Sequence, residues 1–199
     1  SEALGFDVPR AVGAKVALAK GADTVLFIDG DMDGELAQNI QELVELVQTG
    51  RTDMALTDCY YGENLKAPSE LASHVLQARK KLNTVIGLVK DIDTASPSHG
   101  PHALSRNLLL AIPLRELAIP PVTLALAAKM NFAVAIGTRV PNEALGSPVR
   151  NTRHSKLIAA TIIGDCIEAI NVYLGQARQR ICHQIEYDGY HSQRRWDLL

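Results

Sequence analysis

The segment Thr24-Val-Leu-Phe-Ile-Asp-Gly-Asp-Met-Asp-Gly34 decides the fold, because a short apolar run ends there in a cluster of acids. Its opening residues, up to the first aspartate, are apolar or β-branched, which is typical of a buried strand. Asp29, Asp31 and Asp33 follow at alternate positions. Ligands of α/β sheets bind beyond the carboxyl ends of the strands. The segment therefore predicts a buried strand that delivers carboxylates to a ligand-binding edge.

Helical patterns alternate with apolar strands around this segment. The expected strands are residues 24–28, 53–57 and 132–136. The expected helices are residues 9–21, 36–50, 70–89, 120 onward and 157–178. This alternation favours an α/β domain with a mostly parallel sheet covered by helices. We expect one domain over residues 1–199, with a core over 1–156, a long C-terminal helix, and a polar, aromatic tail that docks on another surface.

The long helix separates apolar from polar side chains. One side carries Ile158, Ile162, Ile167, Ile170 and Leu174. The other side carries Thr161, Asp165, Glu168 and Asn171. An apolar stripe at helical spacing packs against another element. One expectation is that this helix forms the interface of a homo-oligomer.

The composition argues against several functional classes. Twenty Lys and Arg residues against 22 Asp and Glu residues give a formal charge of −2, so no general basic field attracts nucleic acid or anionic lipid. Aromatic residues make up 5% of the chain, which disfavours a base-stacking surface. The 3 cysteines form no CxxC pair and support neither a disulfide framework nor a zinc ribbon.

The sequence also predicts a cytoplasmic protein without a transmembrane segment. No uninterrupted apolar run approaches the roughly 18 residues that a membrane span needs. The longest runs are interrupted by Glu116, by Lys129 or by Asp165. The N-terminal stretch is acidic and has no apolar signal core. Unpaired cysteines in odd number fit a reducing compartment.

The acidic cluster has three simple interpretations. Two carboxylates this close repel one another unless a cation offsets their charge, and oxygen ligands of this kind suit Mg²⁺ or Mn²⁺ holding a diphosphate. This first interpretation assigns metal binding to Asp29 and Asp31. In the second, the cluster is a helix start in which Asp33 caps the helix near Leu36. The third, a calcium EF-hand loop, fails because Ile40 stands where that loop needs a glutamate.

A phosphohydrolase of the haloacid dehalogenase type is an alternative, because its signature is also an apolar strand followed by DxD. Asp29 would then be the nucleophile and Asp31 the general acid–base. The stretch Gly164-Asp165-Cys-Ile-Glu168 resembles a later acidic motif of that family. Against this, Asp33 occupies the position where the family has Thr or Val.

A longer block resembles the GT-A glycosyltransferases of family 2. Arg10-Ala-Val-Gly-Ala-Lys-Val-Ala-Leu-Ala-Lys-Gly-Ala-Asp-Thr-Val-Leu-Phe-Ile-Asp-Gly-Asp31 is similar to R-xx-G-xxx-A-xxx-A/G-D-x-hhhh-D-x-D. Gly100-Pro-His-Ala-Leu-Ser-Arg106 resembles the acceptor-side motif, and Leu145-Gly-Ser-Pro-Val-Arg150 the basic loop of dolichyl-phosphate-mannose-synthase-like members. The resemblance, over residues 8–156, implies a GT-A-like fold and a metal-dependent transfer of a hexosyl group from a nucleotide-sugar to an acceptor hydroxyl.

The resemblance implies a metal site for Mn²⁺ or Mg²⁺. Asp31 and Asp29 would bind the cation, and Asp29 would also contact the donor ribose. In members similar to glucosyl-3-phosphoglycerate synthase, a loop histidine completes the metal site. His154, which lies in a basic loop of this sequence, is the matching candidate.

The resemblance also implies a set of basic residues that bind substrates. Arg10 would contact the nucleotide, and His102 and Arg106 would face the acceptor. Guanidinium groups bind phosphate through paired hydrogen bonds. The residues that would hold the diphosphate are Arg150, Arg153 and Lys156.

Two departures accompany the resemblance. Family members begin with a strand–helix–strand segment that binds the base and ribose, and the sequence shows none before Ser1. We therefore expect a fragment, or a nucleotide-binding half that lies elsewhere. Inverting members also place an acidic base, often Glu-Asp, near the position where this chain has Ile119-Pro-Pro121. The catalytic base stays unassigned, and a non-catalytic, truncated glycosyltransferase-like module is a further alternative.

Overall fold

A four-stranded mixed sheet forms the centre of the computed structural model, which describes residues 4–62, 68–148 and 151–199. Its strands are β1 (Thr24–Phe27), β2 (Met54–Asp58), β3 (His102–Ser105) and β4 (Val134–Arg139). They lie in the order β1-β3-β2-β4. β3 runs antiparallel to β1 and β2, whereas β2 and β4 are parallel. The three predicted strands thus point the same way, and their carboxyl ends meet at one edge.

The expectation of a mostly parallel sheet is corrected by β3. This strand lies between β1 and β2, so both of its pairings are antiparallel. It is 4 residues long and directly follows a loop that contains Pro97, Gly100 and Pro101. So short a run has no periodicity that a sequence pattern can detect. The α/β class itself and the long C-terminal helix are confirmed.

Side-chain caps and glycines set several helix boundaries. The helices of the described residues are α1 (Val8–Ala19), α2 (Ala37–Gln48), α3 (Glu70–Val85), α4 (Val89–Ile92), α5 (Arg106–Ala111), α6 (Pro120–Lys129) and α7 (Thr152–Leu174). Ser69, Ser105 and Asn151 each accept a hydrogen bond from a backbone N–H of the following turn. The helix predicted over 70–89 is interrupted at Gly87, whose φ of +81° does not continue a right-handed helix.

Helices pack on both faces of the sheet. On one face, Leu43 and Val47 of α2 contact Ala55 and Ala103. Gly137 allows this close packing, because a Cβ at that position would lie 2.9 Å from Leu43 Cδ2. The other face carries larger side chains that form the main core with α1, α3, α6 and α7. These side chains are Val25, Phe27, Met54, Leu56 and Leu104.

α7 is an element of this core. It packs against α3 and α6, and 50% of its most apolar window is buried inside the fold. Its 23 residues make it the one helix of the described chain that is long and apolar enough to cross a membrane. A buried core helix passes the same test of length and composition, so the described residues contain no clear transmembrane segment. An interface between α7 and a second copy stays a prediction.

The polar side of α7 is buried as well. Thr161, Asp165, Glu168 and Asn171 are between 0% and 6% exposed. The segment after α7 folds back over them, and contains the short strands β5 (Ile181–Cys182) and β6 (Ile185–Glu186). Arg180 Nη2 donates to Thr161 O at 2.9 Å, and the Tyr190 N–H donates to Thr161 Oγ1 at 2.7 Å. The polar, aromatic tail thus docks on α7.

Candidate functional site

A cleft of about 750 Å³ opens at the edge where β1 ends. Asp29 and Asp31 line it from the loop after β1, Arg10 lines it from α1, and His154 from the first turn of α7. Other loops add Ser98, His99, Ser147 and Pro148 to the lining. In this carboxylate cleft the fold brings together four residues that the sequence predicted for the site.

Arg10 neutralises part of the acidic charge in the carboxylate cleft. Its Nη2 donates to Asp29 Oδ1 at 2.7 Å, and its Nε donates to Asp7 Oδ1 at 2.8 Å. Asp7 has a left-handed backbone with φ of 61°, and burial raises the pKa of its carboxyl group. A guanidinium that bridges two carboxylates fixes the position of both. Arg10 therefore positions Asp29, one of the two predicted metal ligands.

The turn that carries the acids rests on the loop after β4. The Gly34 N–H donates to Leu145 O at 3.3 Å. Gly146 has φ of +70°, and a Cβ there would collide with Asp33 Oδ1. The N-cap of α2 is Leu36, which makes no side-chain cap hydrogen bond. The predicted role of Asp33 as N-cap is therefore wrong, and its carboxylate instead lies against the backbone of this loop.

Substitution of Gly146 by alanine is expected to loosen the acidic turn. Gly146 and Gly50 both have φ of +70°, but a Cβ at Gly50 would meet nothing within 4 Å. Positive φ alone costs alanine about 1–2 kcal/mol, and overpacking adds about 1–3 kcal/mol. Urea denaturation should therefore show a larger loss of unfolding free energy for Gly146→Ala than for Gly50→Ala. Equal losses would contradict the close packing of the turn.

His154 joins the cleft from the start of α7. Its backbone N–H donates to Asn151 Oδ1 at 2.9 Å, and its Nδ1 lies 2.6 Å from Tyr190 Oη. Tyr190 stacks on Phe6, with ring centroids 5.7 Å apart. A hydrogen bond to one ring nitrogen orients the other for coordination. Nε2 is therefore the atom of His154 that suits a metal ion.

The basic residues expected to hold a diphosphate are separated in the structure. Arg153 is exposed and lines a neighbouring cavity of about 420 Å³, together with His154 and Tyr190. Lys156 is also exposed but lines another cavity, between α3 and α7. Arg150 lies outside the residues that the structure describes. Arg153 thus adjoins the carboxylate cleft, whereas Lys156 does not.

His102 and Arg106 serve the fold. His102 is 3% exposed, and its ring stacks on Phe27 with centroids 5.0 Å apart. Arg106 Nη1 donates to Ala22 O at 3.1 Å and to Leu18 O at 3.5 Å, which ties the start of α5 to the end of α1. Neither side chain lines the carboxylate cleft. The expectation that these two residues face an acceptor is corrected accordingly.

Burial gives His102 an effect on stability in mild acid. Burial, and after it the charge of Arg10, hold the pKa of His102 well below its ordinary value. The unfolded chain therefore takes up a proton near pH 6.5 that the folded chain does not bind, and stability falls as the pH decreases below that value. The loss from this group approaches about 1.4 kcal/mol per pH unit.

Urea denaturation at about pH 7 and about pH 5.5 measures this loss. We expect a smaller loss for His102→Phe, which keeps a ring against Phe27 and has no titrating group. His74 lies on the exposed side of α3, so His74→Phe is the control. A loss in His102→Phe equal to that of the wild type would contradict a neutral, buried His102.

Several polar residues at this edge were not predicted from the sequence. His99 Nε2 lies 3.0 Å from Asn142 Oδ1, and the ring stacks on Tyr60 at 5.7 Å. Because an amide oxygen only accepts, Nε2 carries the proton. Burial and the charge of Arg79 lower the pKa of His99 to about 3, so the ring is neutral. These residues lie in loops next to β2, β3 and β4. Only the order of the strands in the sheet brings them together, and no local sequence pattern contains that order.

A second group of potential metal ligands lies where the tail covers α7. Ligand atoms of Asp165, Glu168 and His191 lie within 4.8 Å of one another. Arg194 donates to both oxygens of Asp165 at 2.7 and 2.9 Å, and Arg180 donates to Asp165 at 2.6 Å and to Glu168 at 2.9 Å. These guanidinium groups already supply the positive charge that a metal ion would bring. Arg180 and Arg194, with Asp165 and Glu168, form an arginine cluster. The second acidic motif of the phosphohydrolase alternative, Asp165 and Glu168, is therefore buried and already paired.

Ion pairs connect the arginine cluster with the carboxylate cleft. Arg194 Nη2 lies 3.8 Å from Asp7 Oδ2. Asp7 pairs with Arg10, and Arg10 pairs with Asp29. Positive and negative groups therefore alternate from the tail after α7 to a predicted metal ligand.

Comparisons with protein families, with curated proteins and with solved structures found no match for this chain. We therefore infer function from the residues themselves. Asp29, Asp31, Arg10 and His154 line one cleft.

Proposed function

We propose that this chain carries a metal-dependent glycosyltransferase site, which moves a hexosyl group from a nucleotide-sugar to an acceptor hydroxyl. The observation that carries the proposal is the cleft of about 750 Å³ shared by Asp29, Asp31, Arg10 and His154. It lies at the sheet edge where α/β proteins bind ligands. The resemblance of residues 8–156 to GT-A enzymes supplies the reaction class, and a GT-A-like sheet is part of the same proposal.

The donor set of the cleft suits Mn²⁺ or Mg²⁺. Two carboxylates offer hard oxygen ligands, and one imidazole adds a nitrogen ligand. The side chain of Asp29 is 40% exposed while paired with Arg10, and Asp31 is exposed to solvent. Asp31 would be the main ligand, assisted by Asp29 and His154. When bound, the cation offsets the charge that develops on the leaving nucleoside diphosphate.

The acceptor hydroxyl also needs a base to take its proton. Among the acids nearest to the family's position in sequence, which are Asp91, Asp93 and Glu116, Asp93 pairs with Lys80 at 2.9 Å, and Glu116 pairs with Arg178 at 2.6 Å. The neutral ring of His99, with a pKa of about 3, is a weak base. The proposal therefore covers donor binding and stabilisation of the leaving group, and assigns no base.

Thermal unfolding in the presence of UDP-, GDP- and ADP-sugars, with and without Mn²⁺, tests the proposal. A ligand at a hundredfold excess over Kd stabilises the folded state by about 2.7 kcal/mol, which raises the melting temperature by about 5–10 °C. We expect a rise that needs both the metal and one nucleotide-sugar. Asp31→Asn should abolish it, and Glu35→Gln, an exposed acid beyond the turn, should keep it.

Other outcomes favour the alternatives. No rise with any nucleotide-sugar, together with a stable oligomer in size-exclusion chromatography, would support the non-catalytic module. Release of phosphate from an aryl phosphate with Mg²⁺ alone, lost in Asp29→Asn, would support the phosphohydrolase.

A further inference from the structure

Arg79 on α3 is a buried cation without a counter-ion among the residues that the structure describes. It is 2% exposed, and within residues 4–62, 68–148 and 151–199 it forms no ion pair with a carboxylate. Its Nη2 donates to Ser98 Oγ at 3.2 Å and to Ser98 O at 3.4 Å. Its Nε has no hydrogen-bond partner within the described part of the chain. Burial of a charge without an ion-pair partner is strongly unfavourable.

The two other buried arginines of the described chain are compensated. Arg180 is 8% exposed and Arg194 is 3% exposed, and both donate to Asp165. Burial lowers the pKa of Arg79. Among the described residues, the fold supplies carboxylate partners for these two arginines but none for Arg79.

Arg79 lines a cavity of about 250 Å³ between α3 and α7. Tyr60, Ser69, His99 and Ser155 add polar groups to its lining. Ser69 caps α3, so the first turn of this 16-residue helix borders the cavity. A helix N-terminus favours negative charge. The guanidinium and the helix start therefore select the same kind of ligand.

We propose that this Arg79 cavity binds the anionic group of a small molecule, a carboxylate or a phosphate, with Arg79 as its counter-ion. A guanidinium binds either group through charge-assisted hydrogen bonds, and the buried Nε has no partner among the described residues. His99 lines both this cavity and the carboxylate cleft, so a ligand held at Arg79 can extend toward Asp29 and Asp31. The site does not depend on glycosyl transfer.

The melting temperature of the chain against inorganic phosphate, and separately against acetate, tests this site. NaCl at equal ionic strength is the reference for general salt effects. An anion at tenfold excess over Kd should raise the melting temperature by about 3–6 °C. Arg79→Met should melt above the wild type without anion, because an uncompensated charge is removed, and should lose the anion-dependent rise. The anion that gives the larger rise identifies the preferred group.

Three further variants make the test specific. Arg115→Met should keep the rise, because the Arg115 side chain is 63% exposed and lies outside the cavity lining. Arg79→Lys keeps the charge and should raise the Kd for the anion about tenfold. This variant tests the role of Arg79 if Arg79→Met does not fold. Asp31→Asn should keep the rise, which separates this site from the proposed glycosyltransferase site. An equal rise in Arg79→Met and wild type, or none with either anion in the wild type, would overturn the proposal.

Discussion

Asp165→Ala is expected to destabilise the protein by about 3–5 kcal/mol, because it leaves buried charges without their partner. Asp165 is 1% exposed and accepts hydrogen bonds from Arg180 and from both Nη atoms of Arg194. Domains of ordinary size are stable by about 5–15 kcal/mol, so this loss is a large share of the total. The melting temperature should fall by about 6–20 °C.

Asp197→Ala is the matched control for this prediction. Arg195 also binds Asp197 through two hydrogen bonds, at 2.8 and 2.7 Å, but the Asp197 side chain is 60% exposed. Water replaces the partner of an exposed ion pair. Calorimetry should therefore show almost no change for Asp197→Ala. Equal melting temperatures for both variants would show that the arginine cluster does not support the fold.

Asp31→Asn is expected to lower the rate of glycosyl transfer by roughly 10³-fold, because stabilisation of the leaving group by a cation is worth several kcal/mol. This prediction rests on the proposed function. Asp31 is exposed, so its replacement should leave the melting temperature without ligand nearly unchanged. Initial rates measured across a Mn²⁺ titration separate weaker metal binding from a slower chemical step.

Glu35→Gln removes a nearby exposed carboxylate and should keep the wild-type rate. Asp29→Asn should reduce the rate as well, and it should also release Arg10, whose Nη2 contacts Asp29 Oδ1 at 2.7 Å. Metal dependence in Asp31→Asn identical to that of the wild type would exclude Asp31 as a ligand.

Local patterns in the sequence predicted most of the fold. β1, β2 and β4 lie within three residues of the expected boundaries, because each is an apolar run between turn signals. β3 was missed since it is short, and its pairing with two distant strands makes the sheet mixed. The antiparallel pairing is a long-range property that no local run of residues contains.

The part of the candidate site that one sequence motif contains could be predicted. Asp29 and Asp31 follow a strand directly, and that spacing alone predicted their position at the sheet edge. Arg79 and His99 could not be found in this way, because their cavity forms only where α3, α7 and the loop before β3 meet. The buried polar side of α7 was equally hidden, because Arg180 and Arg194, which compensate Asp165, come later in the chain.

The docking of the tail on α7 has a consequence for synthesis of the protein. Arg194 is supplied by a segment well beyond the end of α7 at Leu174. While a ribosome still holds that segment, Asp165 lacks the guanidinium of Arg194, and burying it with one partner fewer is unfavourable. Asp7, which pairs with Arg10, likewise lacks its contact with Arg194 at this stage. The N-terminal residues of the carboxylate cleft are therefore translated early, but the ion-pair path from Arg194 through Asp7 and Arg10 to Asp29 is complete only after residue 194 emerges.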